Sequence, residues 1–365
     1  MGMCCSNCFD DEILEREIEE NGVVGDCEYC QSRQVICIDA SALQEKFLRF
    51  LDVYEETRSG THFHPEECIM DYGQFLHELI QEDWHIFSGK IEDNGEYAEL
   101  TKDIFSDYCL HPDIRLDMEN EYFSRFNTGM DQYTVQEQWG EFCDSIKNKN
   151  RFFSNHFINK QDMRELLSQR VFVGKASEKL YRARNGGEKN RKGELKAYPS
   201  SKMSAPTPEK TGNGRANPKG IAYLYLATSL DTAIAEMRPV KNANISVAKA
   251  ALLADLKLVD FSGRVAFPSP FEVEDLKEEW ERRPLMYQIG ESFSMPIEPS
   301  LSDIEYVPTQ FISEYIKNLG YDGFVFQSSL GPGLNYVLFD PGKAKISEAD
   351  LYTISEIEYK AEKSR

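Results

Sequence analysis

The spacing of apolar positions along this chain changes near residue 170. Before that point apolar residues recur every three or four positions, the period of an amphipathic helix. Asp10 to Gly22 has this pattern and ends in Asn-Gly. Ser41-Ala-Leu-Gln44 reads as a capping box opening a second helix, with Leu43, Phe47, Phe50, Leu51 and Tyr54 on one side. Asp71 to Phe87 repeats the arrangement through Tyr72, Phe75, Leu76, Leu79 and Ile80. Further helical patterns lie near 97–109, 134–147 and 160–169. Residues 41–170 are therefore predicted to form an all-helical domain, behind a cysteine-rich segment 1–40.

A third segment, 171–365, has a different pattern. Leu180-Tyr-Arg-Ala-Arg184 and Ile221 to Ala227 are strand candidates, separated by a loop over 185–219 rich in Gly, Lys, Asn, Ser and Pro. Long ordered loops in compact domains are often functional. Ser229 or Asp231 can cap a helix running to Met237, which Pro239 stops. Strand-like runs follow at 251–260, 323–327 and 335–339, with a helix over 309–319 closed by Gly320. Strands and helices mix here without a βαβ rhythm, so the fold class is α+β.

The sequence carries no Walker or Rossmann phosphate motif, no internal repeat, and no apolar run of about eighteen residues that would cross a membrane. Its start lacks the basic and apolar regions of a secretion signal, so a cytoplasmic setting is expected. The nine cysteines then point to metal ligation rather than disulfides. Charge is uneven: residues 1–170 hold 36 acidic and 15 basic side chains, whereas residues 171–365 hold 26 of each. The acidic half disfavours direct contact with nucleic acid and leaves open a basic partner or a simply solvated surface. Within 175–219 the balance reverses to 12 basic against 4 acidic, a local excess suited to an anionic small molecule.

Cys5-x-x-Cys8 and Cys27-x-x-Cys30 are separated by eighteen residues. Two such knuckles complete a tetrahedral four-sulfur site, so Cys5, Cys8, Cys27 and Cys30 are predicted to hold structural zinc. Cys4 is an alternative to Cys5, and Cys37 a further candidate. Cys68, Cys109 and Cys143 stand alone as core or surface thiols.

A second constellation lies in the C-terminal half: Tyr181-Arg182-Ala-Arg184, Gly214-Arg215-Ala-Asn217-Pro218-Lys-Gly220, Tyr223-Leu-Tyr225-Leu-Ala227, Asp231-Thr-Ala-Ile-Ala-Glu236-Met-Arg238, Gly320-Tyr-Asp-Gly323-Phe-Val-Phe-Gln-Ser328-Ser329 and Gly333-Leu-Asn335. Singly, each residue has an ordinary structural explanation. Together, over roughly 178–341, they resemble the RES domain family, named for an arginine, a glutamate and a serine. Carried over, the catalytic set is Arg182, Glu236 and Ser328, with Ser329 as the alternative serine. The pocket set is Arg182, Arg215, Tyr225, Ser328, Ser329 and Asn335. Ala216 departs from the family, which usually has a bulky aromatic there.

The resemblance implies an ADP-ribosyltransferase-like mixed sheet split around an NAD⁺ cleft. It also implies a toxin activity that breaks the nicotinamide–ribose bond, by glycohydrolysis or phosphorolysis, with NAD as substrate. Protein ADP-ribosylation at the same site is an alternative. The family further implies a helix-turn-helix antitoxin as partner, and association between copies of the chain stays open. The N-terminal half resembles, more weakly, helical domains related to HEPN proteins. That admits a second alternative, an RNase using Arg58 with His64 or Arg151 with His156.

Overall fold

The structure, a computed structural model, describes residues 2–57, 61–64, 69–72, 74–92, 95–106, 109–111, 114–115, 122–125, 131–152 and 160–358. The chain forms two compact units. One joins Met1–Val135 to Pro268–Pro284, and the other joins Gln136–Phe267 to Leu285–Arg365.

In the first unit, Asp11 caps the helix Glu12–Asn21 by accepting from the amides of Ile13 and Leu14. Met3–Cys5, Val35–Asp39 and Val23–Gly25 form a three-stranded antiparallel sheet with Val35–Asp39 in the middle. The core is aromatic: Phe47 lies 5.6 Å from Phe50, 6.2 Å from Phe105 and 5.4 Å from Phe271, ring to ring. Trp280 donates to Asp83 at 3.0 Å, and Arg283 lies over the Trp84 ring.

This part is not all helical. Tyr54–Thr57 pairs with Tyr122–Arg125, and Thr61–His64 with Ile69–Tyr72. Tyr54 and Tyr72, expected on helix faces, therefore lie in strands. Both stand in runs carrying β-branched residues, which favour extended backbone. The expected helix from Ser41 is broken into a 3₁₀ turn Ala40–Leu43, an α-helix Gln44–Phe47 and a 3₁₀ turn Leu48–Asp52. Its cap is Asp39, which accepts from the Ser41 amide at 3.0 Å. The next helix, Leu76–Trp84, begins where the Glu78 carboxylate reaches back to the Phe75 amide at 3.1 Å. The later helices fall near their predicted positions, at Glu96–Ile104, Asp131–Asp144 and Lys160–Gln169.

The second unit is built on a mixed sheet of eight strands: β1 Val171–Gly174, β2 Lys179–Asn185, β3 Leu224–Ala227, β4 Asn244–Leu252, β5 Leu256–Phe261, β6 Gly323–Gln327, β7 Leu334–Leu338 and β8 Ala344–Thr353. Their spatial order is β1-β5-β6-β7-β3-β2-β4-β8, with β5 and β6 parallel and every other pair antiparallel. The α+β class is thus present in the molecule. Leu180, Leu224, Leu226, Leu258, Val325, Tyr336 and Leu338 form one buried cluster on this sheet. A Cβ at Gly323 would lie 2.0 Å from the Val337 carbonyl oxygen, so only glycine lets β6 approach β7 this closely.

One join in the sheet is thin. β2 pairs with β4 over seven residues, from Lys179 opposite Ala251 to Asn185 opposite Ile245. It meets β3 only at Tyr181 opposite Ala227. Away from that contact β2 and β3 part, and the candidate site lies at the opening.

Candidate active site

The site is assembled by the helix that follows β3 and by the turn between β6 and β7. Ser229 caps this helix, Leu230–Ala235, by accepting from the Thr232 amide at 3.1 Å. Glu236 is its C-terminal cap residue. In the β6–β7 turn, the Ser328 hydroxyl accepts from the amides of Leu330 and Gly331 at 3.2 and 3.1 Å. The turn lies against the helix: the Gly333 amide donates to Thr232 Oγ1 at 2.9 Å, and a Cβ at Gly331 would come within 2.8 Å of Thr232 Cα. Small residues here allow two backbones to touch.

These elements converge on one carboxylate. Glu236 Oε1 accepts from Ser328 Oγ at 2.7 Å and from Asn335 Nδ2 at 2.6 Å. Ser328 and Asn335 are buried. Two neutral donors on one oxygen fix the side chain without neutralising it. Glu236, Asn335, Arg182, Arg215 and Tyr225 all line a single cleft of about 300 Å³.

Arg182, on β2, donates from Nη1 to the Tyr225 carbonyl at 2.9 Å, across the parting strands. Its Nε is buried and has no hydrogen-bond partner among the described residues. Burial draws the guanidinium down to about 10. The Tyr225 hydroxyl donates to Asn217 Oδ1 at 2.7 Å and accepts from the Ala216 amide at 3.1 Å. Burial pushes this phenol up to about 12. Ala216 is fully buried beneath the loop. A Cβ at Gly214 would fall 2.3 Å from Asn217 Oδ1, so position 214 has room only for glycine. Arg215 donates from Nη1 to the carbonyls of Phe293 and Met295, the latter at 2.6 Å, and lies 5.6 Å from the Tyr306 ring centre. Burial lowers its pKa as well.

The expected residues thus come together except Ser329, which is exposed. Ser328 joins the group through Glu236, and neither serine is itself part of the cleft lining. Among the lining residues that were not expected, Tyr181, Arg238 and Tyr306 carry polar side chains. Tyr181 and Arg238 stand inside the quoted motifs, which gave no sign of where their side chains lie. Tyr306 precedes the helix Val307–Asn318 and no local pattern marks it.

In the first unit, the sulfurs of Cys5, Cys8, Cys27 and Cys30 all lie within 4.8 Å of one another. Cys5 approaches Cys30, and Cys8 approaches Cys27, each at 3.4 Å. Hydrogen bonds from Cys5 and Cys8 hold the Cys27 thiol far below its ordinary range. Four thiols gathered this closely suit a soft divalent cation. Cys4 and Cys37 are buried outside this group. Of the alternative RNase residues, Arg58, His156 and the side chain of His64 lie outside the described residues, and Arg151 is exposed.

Residues 179–359 match the family model described as RES domain. The C-terminal part of the chain belongs to that family. No curated protein matches the chain. Among solved structures, a similar chain is found in the crystal structure of the M. tuberculosis MbcT–MbcA toxin–antitoxin complex. It is 14% identical over 53% of this chain and 93% of that chain, with a TM-score of 0.31.

Proposed function

We propose that the RES domain cleaves the nicotinamide–ribose bond of NAD⁺ and acts as a toxin by depleting it. The observation that carries this reading is the Glu236 carboxylate, fixed by Ser328 and Asn335 in the same cleft as Arg182.

Nicotinamide in NAD⁺ is a cationic leaving group that needs little acid catalysis. The C1′–N bond breaks with its electron pair going to the nicotinamide nitrogen, and positive charge grows on the ribose. The transition state is oxocarbenium-like, as in glycoside hydrolysis. A fixed carboxylate beside the ribose stabilises that charge more in the transition state than in the ground state. Glu236 takes this role, and Ser328 and Asn335 hold it. Arg182 and Arg215 supply positive charge at neutral pH for the pyrophosphate. The Tyr225 ring walls the nicotinamide subsite. The acceptor oxygen then bonds to C1′, and in hydrolysis the water proton is released to solvent.

The four N-terminal thiols would hold a zinc ion that ties the two knuckles together and contributes to folding, with no part in the reaction. A helix-turn-helix antitoxin is the proposed partner.

The deciding experiment incubates the pure protein with NAD⁺ and identifies every product. Nicotinamide with ADP-ribose indicates hydrolysis, a phosphorylated ADP-ribose indicates phosphorolysis, and a mass increase on protein indicates transfer. Unchanged NAD⁺ would overturn the reading.

A further inference from the structure

We infer that Arg238 is the side chain that takes the phosphate groups of the substrate, and so sets a preference for phosphorylated over unphosphorylated ribosides. This rests on the reading of the cleft as an NAD site, and it adds a residue to that site.

Three guanidinium groups line the cleft: Arg182, Arg215 and Arg238. Two are partly committed to the protein. Arg182 Nη1 is held by the Tyr225 carbonyl, and Arg215 Nη1 by the carbonyls of Phe293 and Met295. Arg238 is exposed, and among the described residues its side chain makes no hydrogen bond or ion pair. Its donor fork is therefore available to an anion in a geometry that suits phosphate.

The backbone explains how this arginine reaches the cleft. Residues two apart on a helix do not share a face, yet Glu236 and Arg238 line the same cavity. Arg238 has φ +46°, in the left-handed region that residues other than glycine seldom occupy. Its amide is fixed by the Ala235 carbonyl at 2.9 Å, and Pro239 follows. The left-handed residue ends the helix and redirects the chain, so the guanidinium and the carboxylate two residues earlier face one space. Strain of this kind persists where the surroundings over-determine it, often at ligand sites.

The charges then match a particular class of molecule. A carboxylate and an unpaired guanidinium in one cleft suit a substrate cationic at one end and phosphorylated further along. That is the arrangement of a pyridinium ribotide, in which ring and phosphate are joined through ribose.

The test measures turnover of NAD⁺, nicotinamide mononucleotide and nicotinamide riboside by the wild-type full-length chain and by Arg238→Gln and Arg238→Lys. Losing one charge-assisted contact should raise KM for the two phosphorylated substrates about tenfold, with kcat changed far less. The riboside, which has no phosphate, should lose much less, and Arg238→Lys should recover part of the loss. A KM for NAD⁺ unchanged in Arg238→Gln overturns the inference. An equal fall on all three substrates also overturns it, because the arginine would then be acting on Glu236. Calorimetric binding of ADP-ribose provides an arm independent of turnover. If wild type binds ADP-ribose and Arg238→Gln binds it about tenfold more weakly, the inference stands even where NAD⁺ is not cleaved. If both bind equally, it fails while the proposed reaction stands. If wild type binds no ADP-ribose, the inference fails, and the proposed reaction is judged by NAD⁺ turnover.

Discussion

Glu236 and its two donors yield the most direct predictions at the scale of single residues. In Glu236→Gln, Oε1 can still accept from Ser328 and Asn335, so position is kept and only the charge is lost. Turnover should fall on the order of a hundredfold or more while NAD⁺ affinity stays near wild type. Single-turnover kinetics beside equilibrium binding check this, and a loss within a few-fold removes Glu236 from its proposed role. Expression of wild type should arrest growth, and this variant should relieve it. Asn335→Leu removes one of the two donors to a charged acceptor, a contact worth about 1.5–3 kcal/mol. It should lower kcat at least about tenfold and leave KM nearly unmoved, as expected of a residue that positions the carboxylate. Arg182 gives a pH dependence. Its guanidinium is drawn down to about 10, and only the protonated form attracts an anion. Affinity for ADP-ribose should therefore be flat through neutrality and fall as pH rises through about 10, as read by calorimetry. Arg182, Glu236 and Ser328 were legible in sequence because each sits in a motif of fixed order. Ser328 and Ser329 are neighbours with the same chemistry, and only the β6–β7 turn separates a buried hydroxyl from an exposed one. Arg238 was not legible as a cleft residue, because a left-handed backbone rather than helical spacing brings it there.

At the scale of elements, the short helix Leu230–Ala235 needs help from its ends. It is well below the length at which isolated helices hold in water, so capping and packing maintain it. Ser229→Ala should cost about 1 kcal/mol of stability, measurable by denaturant unfolding. It should also reduce turnover, because Glu236 closes the same helix. The sequence made this helix visible through its serine cap and the proline that stops it. Other elements were less visible. Leu276–Ser294 contains Pro284, which reads as a break in any local pattern. β8 exposes Lys345, Ser347, Glu348 and Asp350, and it lies at the sheet edge, so no apolar run marks it. In the N-terminal half the opposite error arose. Three-to-four spacing carried on past Asp52, but Tyr54–Thr57 is extended because it pairs with Tyr122–Arg125, a partner distant in sequence.

At the scale of the whole molecule, the compact units do not follow the chain in order. Gln136–Arg170 precedes the RES match but packs in the same unit. Phe142 lies 5.2 Å from Phe311, Lys147 pairs with Glu305 at 2.6 Å, and Arg170 faces buried Asp260 at 3.7 Å. A fragment starting at residue 171 leaves Asp260 buried without that cation, a loss of about 3–5 kcal/mol where a buried pair is broken. It should melt well below a fragment starting at residue 136, as read by calorimetry. The N-terminal unit gives a separate expectation. The protein purified without chelator should carry about one equivalent of zinc, and removing it should lower the melting temperature. Elemental analysis showing no metal would refute the proposed centre.

Under the proposed activity, the order of strands in the sheet also governs when that activity can begin. β6 and β7 lie between β5 and β3, yet they are synthesised near the end of the chain. Ser328 and Asn335 reach Glu236 across 92 and 99 residues of sequence. Chains emerge from the ribosome N-terminus first and fold as their parts become available, so a nascent polypeptide lacks the middle of its sheet and both donors to the carboxylate. If the complete chain is a toxin as proposed, translation itself is then a safety interval, and a message broken before codon 323 should yield a harmless product. Expressing residues 1–322 beside the full chain and following cellular NAD⁺ would show this directly, with depletion expected only from the complete polypeptide.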